Sequence, residues 1–148
     1  MKCVGIIWNC AFEFKEEILK IISAYSDVSQ CYCIELEDNY EIFLRSIYSF
    51  ESIAKWKVDK KVEYMKKYPS TSVCIVHFDI DVSAIRYHEK KKHFVYSNLQ
   101  DLKDLVRETY QAKLPFYFFD IIFHCSESQE EYVADTQIIS LFRRNQKL

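Results

Sequence analysis

The chain has 148 residues, 49% of them apolar and 16% aromatic, with a formal net charge of −2. That length holds one proper core and no second, so residues 1–148 are expected to form a single domain. The pI near 6.1 does not favour a nucleic-acid partner, no stretch reaches the roughly 18 unbroken apolar residues of a bilayer span, and the N-terminus lacks a signal-peptide pattern. A cytosolic chain without a membrane partner is expected.

In chain order, Cys3 to Trp8 reads as a buried strand, and the stripe Phe14, Ile18, Ile21, Ile22, Tyr25 as a helix face. Val28 to Leu36 suits a second strand. Asp38 and Glu41 form a capping box for a helix with the stripe Tyr40, Phe43, Leu44, Ile47, Tyr48. Ser52 to Lys67 is helical, with Ala54, Val58, Val62 and Met65 inward, and Pro69 ends it. Ser72 to Val82 is the clearest strand, in which His77, Asp79 and Asp81 share one face. A charged turn, Glu89 to Lys92, precedes a short strand, His93 to Tyr96; Ser97 and Gln100 then box a helix striped by Leu99, Leu102, Val106 and Tyr110. Phe116 to Phe123 reads as a buried strand delivering His124, and a last helix turns Ala134, Ile138, Leu141 and Phe142 inward before the basic end Arg143, Arg144, Lys147.

Alternating strands and helices, with strands apolar on both faces, predict an α/β fold: three layers, a mostly parallel sheet of about five strands and helices on both sides, Rossmann-like or flavodoxin-like. The functional crevice of such a sheet lies beyond the strands' carboxyl ends, where Asn9, Asp79, Asp81, His124 and Ser126 would gather. The six cysteines lie mostly in apolar runs without zinc-type spacing and read as free, buried thiols. Trp8 to Phe12 replace the glycine-rich turn of a dinucleotide site.

Two carboxylates two residues apart at a strand end can share a hard cation, which makes Asp79 and Asp81, with His77 beside them, candidates for magnesium or manganese. Solvated carboxylates and a hydrogen-bonded core histidine would leave the same pattern. His124 precedes a helix N-terminus, whose positive end favours a neutral imidazole able to act as base or nucleophile, and Ser126 or Ser128 would cap that helix. Arg45, Lys57, Lys60, Lys61, Arg86 and Arg107 are candidate phosphate-binding cations.

The seven residues His124, Cys125, Ser126, Glu127, Ser128, Gln129 and Glu130 resemble the stretch around the phosphorylated histidine of nucleoside diphosphate kinases. The resemblance stops there: that family's lysine-proline-aspartate-glycine opening and the glycine-bearing segment before its histidine have no match, and the predicted order of strands and helices differs. The activity is not carried over on this string. Glu13 with Asp79 and Asp81 resembles the layout of Toprim-type nucleases and primases, and Asp81, Glu89 and Lys91 imitate the triad of restriction-type nucleases.

Two classes of function follow. One is a small metal-dependent enzyme of phosphoryl-transfer or phosphodiester chemistry on a nucleotide or other phosphorylated substrate, with His124 and Asp79 catalytic, Ser126, Asn9, Arg45, Lys60 and Arg107 binding substrate, and Asp79, Asp81 and His77 holding the cation. The other is a non-catalytic interaction module or homodimer using the chain's many aromatic residues. A Toprim-like nuclease is a further alternative.

Overall fold

The computed structural model describes residues 1–144. In chain order its regular elements are β1 (Lys2–Ile7), α1 (Lys15–Tyr25), β2 (Asp27–Glu35), α2 (Tyr40–Ser49), α3 (Lys55–Met65), β3 (Ser72–Asp79), β4 (Ile85–His88), β5 (His93–Tyr96), α4 (Ser97–Gln111), β6 (Phe123–Cys125) and α5 (Gln129–Arg144). Four strands form one sheet in the order β2-β3-β1-β6, and β4 pairs with β5 as a separate hairpin.

Every pairing in the main sheet is antiparallel. This overturns the expected mostly parallel, Rossmann-like or flavodoxin-like sheet. β1 and β2 do run parallel to each other, as do β3 and β6, but each such pair is separated by an antiparallel strand that arrives from elsewhere in the chain. Alternation along the sequence reveals the crossover helices and is blind to what inserts between the strands they connect. The arrangement is ferredoxin-like, with α2 and α3 inserted before β3 and the hairpin inserted before α4. β1 and β3 are apolar on both faces because they are central, whereas β2 is an edge strand exposed along most of its length, which leaves Cys31 and Cys33 exposed and not buried as expected.

α2 and α4 behave as their stripes predict. α2 buries Tyr40, Phe43, Leu44, Ile47 and Tyr48, and α4 buries Leu99, Leu102, Val106 and Tyr110. The crossover helices meet where the Phe14 and Tyr110 rings lie 5.1 Å apart, and α5 meets α2 where Phe43 contacts Phe142 edge-on at 5.1 Å. Neither Asp38 nor Ser97 forms its expected cap, since the residues preceding α2 and α4 are Asn39 and Tyr96. α5 turns Asp135 and Ile139 inward and leaves Leu141 exposed. The Arg143 guanidinium lies 3.7 Å over the Tyr32 ring, while the Arg144 side chain and Lys147 are outside the described residues.

The aromatic run before His124 is not a strand, because only its end, Phe123–Cys125, joins the sheet. Phe116, Phe118 and Phe119 instead line the side of α3 and the segment after it, meeting Tyr68, Tyr64 and the Lys57 ammonium respectively. Phe116 and Phe119 therefore remain partly in solvent. A run of aromatics satisfies a helix flank as well as a sheet, and hydrophobicity alone does not separate the two.

The chain's one glycine, Gly5, stands on β1 opposite Val76 and Cys125. A methyl group there would lie 2.7 and 2.8 Å from Phe123 ring atoms and 3.1 Å from Val76 Cγ1. Gly5→Ala should cost about 1–3 kcal/mol in urea denaturation through overpacking, and Phe123→Leu in the same chain should restore part of the loss.

Candidate functional site

The pairing of Ile6 with His124 turns the imidazole towards the face covered by α5. There the ring is buried and held at both nitrogens: Nε2 lies 2.8 Å from Asp135 Oδ2 and Nδ1 lies 3.1 Å from Glu51 Oε1. The rings of Trp8 and Tyr48 flank it at 6.4 and 6.2 Å. Two carboxylate acceptors require both ring nitrogens to donate, which only the imidazolium can do. Burial alone would lower the pKa, but the bonds to Asp135 and Glu51 outweigh it and raise His124 to about 9. The surroundings thus favour the charged form, not the neutral one suggested by a neighbouring helix end.

His124 forms part of the wall of a cavity of about 610 Å³. Lys57 and Lys61 reach it from α3, Lys103 and Arg107 from α4, and Lys91 from the hairpin turn. Lys103 is buried and paired with Glu127, which Lys91 also meets at 3.1 Å. Burial, with Arg107 and Lys91 alongside, lowers Lys103 to about 7. Burial likewise brings Lys61 down to about 8, although Asp120 and Glu51 oppose the shift. Arg107 Nε lies 3.1 Å from Asp120. Burial opposes ionisation of Glu51, yet the bond from His124 and the charges of His124, Lys61 and Lys103 hold its carboxyl below the usual range. Glu131 is pushed up by burial and by the Glu51 charge.

Ser128, not Ser126, caps α5: its Oγ accepts from Glu131 N at 3.1 Å while the Glu131 carboxylate accepts from Glu127 N at 3.1 Å. Ser126 is fully buried and bonds back to β1, its Oγ accepting from Val4 N at 3.0 Å. Asn9 is also a tie, donating to the carbonyls of Met65 and Ser70 and accepting from Tyr40 Oη. Arg45 pairs with Glu41 and Asp59, and Lys60 with Glu63, all outside the cavity wall. Of the expected phosphate-binding residues, the cavity holds Lys57, Lys61 and Arg107.

The expected cation residues do not meet one another or His124. Asp79 pairs with the N-terminal ammonium at 3.0 Å, Asp81 accepts from Ser83 N and Oγ, and His77 lies 3.2 Å from Tyr32 Oη. Asp79 stands opposite Lys2, at the start of β1, whereas His124 stands opposite Ile6 near its end. Glu13 follows the far end of β1 and is exposed, so the Toprim-like layout is not assembled either. Among the described residues, no group of three or more His, Cys, Asp or Glu side chains is placed to hold a metal ion.

Glu51, Asp135 and Lys103 are the site residues that sequence reasoning missed. For two of them a signal was present: Asp135 occupies the inward face of α5 one turn before Ile139, and Lys103 follows Leu102 on the buried side of α4. A charged residue on an apolar stripe is an unpaired charge until its partner is known. Glu51 carried no such mark, since its loop position is set by tertiary packing.

No family model matches the sequence, and no curated protein matches it. Solved structures do match in fold. An Aquifex aeolicus nucleoside diphosphate kinase superposes with a TM-score of 0.56 at 15% identity, over 93% of each chain. A Borrelia burgdorferi nucleoside-diphosphate kinase, described as a transition-state mimic with bound vanadate and ADP, gives a TM-score of 0.53 at 10% identity, over 93% of this chain and 85% of that one. The chain therefore shares the fold of these kinases, which corrects the expectation that its strand and helix order differs from theirs.

A ¹⁵N NMR titration should place His124 near pH 9, and Asp135→Asn should lower that value. Because the folded pKa lies above the unfolded one of about 6.5, the stability it contributes is complete below about pH 6.5 and lost as pH rises through about 9. Lys61 and Lys103, with depressed values, act in the opposite sense in both proteins and largely cancel in the comparison. The stability gap between wild type and Asp135→Asn in urea should thus be a few kcal/mol near pH 6 and shrink towards pH 9.5; a gap independent of pH would show that the ring is uncharged.

Proposed function

We propose that this chain transfers phosphoryl groups between nucleotides, with His124 as the group that is transiently phosphorylated. The observation that carries the reading is the convergence on one cavity of a histidine fixed by Asp135 and five cationic side chains, Lys57, Lys61, Lys91, Lys103 and Arg107. Phosphoryl transfer needs little from a protein beyond a placed nucleophile and positive charge around the phosphate oxygens. The shared fold with nucleoside diphosphate kinases supports the same reading.

Asp135 holds Nε2–H and so leaves Nδ1, on the cavity side, as the attacking atom. Once Nδ1 has given up its proton, its lone pair forms the bond to the terminal phosphorus of a nucleoside triphosphate, and the bond from that phosphorus to the bridging oxygen breaks, releasing the diphosphate. The reverse step hands the phosphoryl group to another diphosphate. Lys103, Lys61 and Arg107 offset the charge of the transferring group. The residues first expected to bind magnesium or manganese do not build a site for it, so in this reading a divalent cation enters with the nucleotide phosphates.

Incubation with γ-labelled ATP should leave on the protein a label that survives alkali and is lost in acid. His124→Gln should abolish it, and Lys103→Met should raise the KM for ATP by about tenfold or more. No label on the wild-type chain overturns the reading. The interaction-module alternative then gains from the β4–β5 hairpin, which exposes Ile85, Tyr87 and Phe94. A homodimer has the exposed edge strand β2 available for pairing.

A further inference from the structure

The nitrogen that must attack is covered. Nδ1 of His124 donates to Glu51 Oε1 at 3.1 Å, within the roughly 3–3.5 Å at which reacting atoms stand before bond formation. Glu51 lines the cavity, whereas Asp135, on the other nitrogen, is only 2% exposed and does not. Glu51 belongs to the connection between α2 and α3, where residues 50–54 form no helix or strand. Its backbone is tied down locally, with Glu51 N donating to Tyr48 O at 3.2 Å and Ile53 N donating to Glu51 O at 2.9 Å.

Resting on the phosphoryl-transfer reading, we infer that Glu51 is a displaceable latch: its carboxylate occupies the place beside Nδ1 that the transferred phosphoryl group must take, and an incoming phosphate exchanges with it. The charges make this an exchange of like for like. Lys61 and Lys103 act on the Glu51 carboxylate and line the same cavity, so a phosphate arriving as Glu51 leaves keeps both ammonium groups compensated. The proton balance closes as well. Glu51 leaves as the carboxylate and the Nδ1 proton it held is released to solvent; the freed Nδ1 lone pair bonds to phosphorus as the bridging P–O bond breaks, and Nε2 keeps its proton on Asp135. Glu51 thus sets both the affinity of the resting site for phosphate and the readiness of the nucleophile.

The test is the affinity for inorganic pyrophosphate, measured by calorimetry at pH 7 on wild type, Glu51→Gln and Glu51→Asp. Removing the competing charge should tighten binding by about tenfold in Glu51→Gln, with Glu51→Asp between the two. Equal or weaker binding by Glu51→Gln overturns the latch. Should Glu51→Gln fail to fold, the wild type still decides: saturating pyrophosphate should shift the ¹⁵N resonance of Nδ1 far more than that of Nε2, and an unchanged Nδ1 overturns the proposal. Neither readout needs turnover, so a latch that fails here is distinct from a chain that takes no phosphoryl label from ATP.

Discussion

A buried imidazolium held between two carboxylates is the constraint on which the rest of this structure depends. Each of its partners comes from a different part of the chain, Asp135 from α5 and Glu51 from the α2–α3 connection, while the ring itself is delivered by a strand of three residues. A charge taken out of water is tolerated only if its partners arrive with it, and removing one partner of such a set costs about 3–5 kcal/mol. The docking of α5 on the sheet, the course of the connection after α2 and the short register of β6 against β1 are therefore coupled. None can shift without stranding a charge unless a ligand's charge takes its place.

The same coupling explains why so polar a cavity can sit beside an apolar core. Lys61 and Lys103 project from helices whose other inward residues are mostly apolar, Val62 and Met65 in one case, Leu99, Leu102 and Val106 in the other. The helices are held by those residues, and the lysines are carried inward by helical geometry at a cost that Glu51, Asp120 and Glu127 offset. Stability and ligand affinity thus draw on one set of charges. A resident carboxylate satisfies the cations when no ligand is bound.

Much of the secondary structure was legible in the sequence, and the sheet was not. The stripes of α2 and α4 and the limits of β2 and β5 followed from periodicity because each is a local property. The antiparallel order was hidden because it depends on β3 inserting between β1 and β2, a long-range event with no local mark. Of the site, His124, Lys57, Lys61 and Arg107 stood out by residue type. Asp79 and Asp81 drew attention for the same reason and lie elsewhere, one bound to the chain's own ammonium group and the other to Ser83. Residue type suggests what chemistry is available; only register and packing decide which groups meet.

Phe119 bears on how a ligand would enter. It lines the cavity with its backbone in the left-handed region, at φ 49°, a conformation that costs a side-chain-bearing residue about 1–2 kcal/mol. Its ring is fixed edge-on against Phe118 at 4.5 Å and beneath the Lys57 ammonium at 4.2 Å. A glycine at such a bend would be free to move in the empty state, and its motion would have to be frozen out on binding. Here that ordering has been completed during folding, so a guest arriving at the mouth meets a wall with little conformational entropy left to lose.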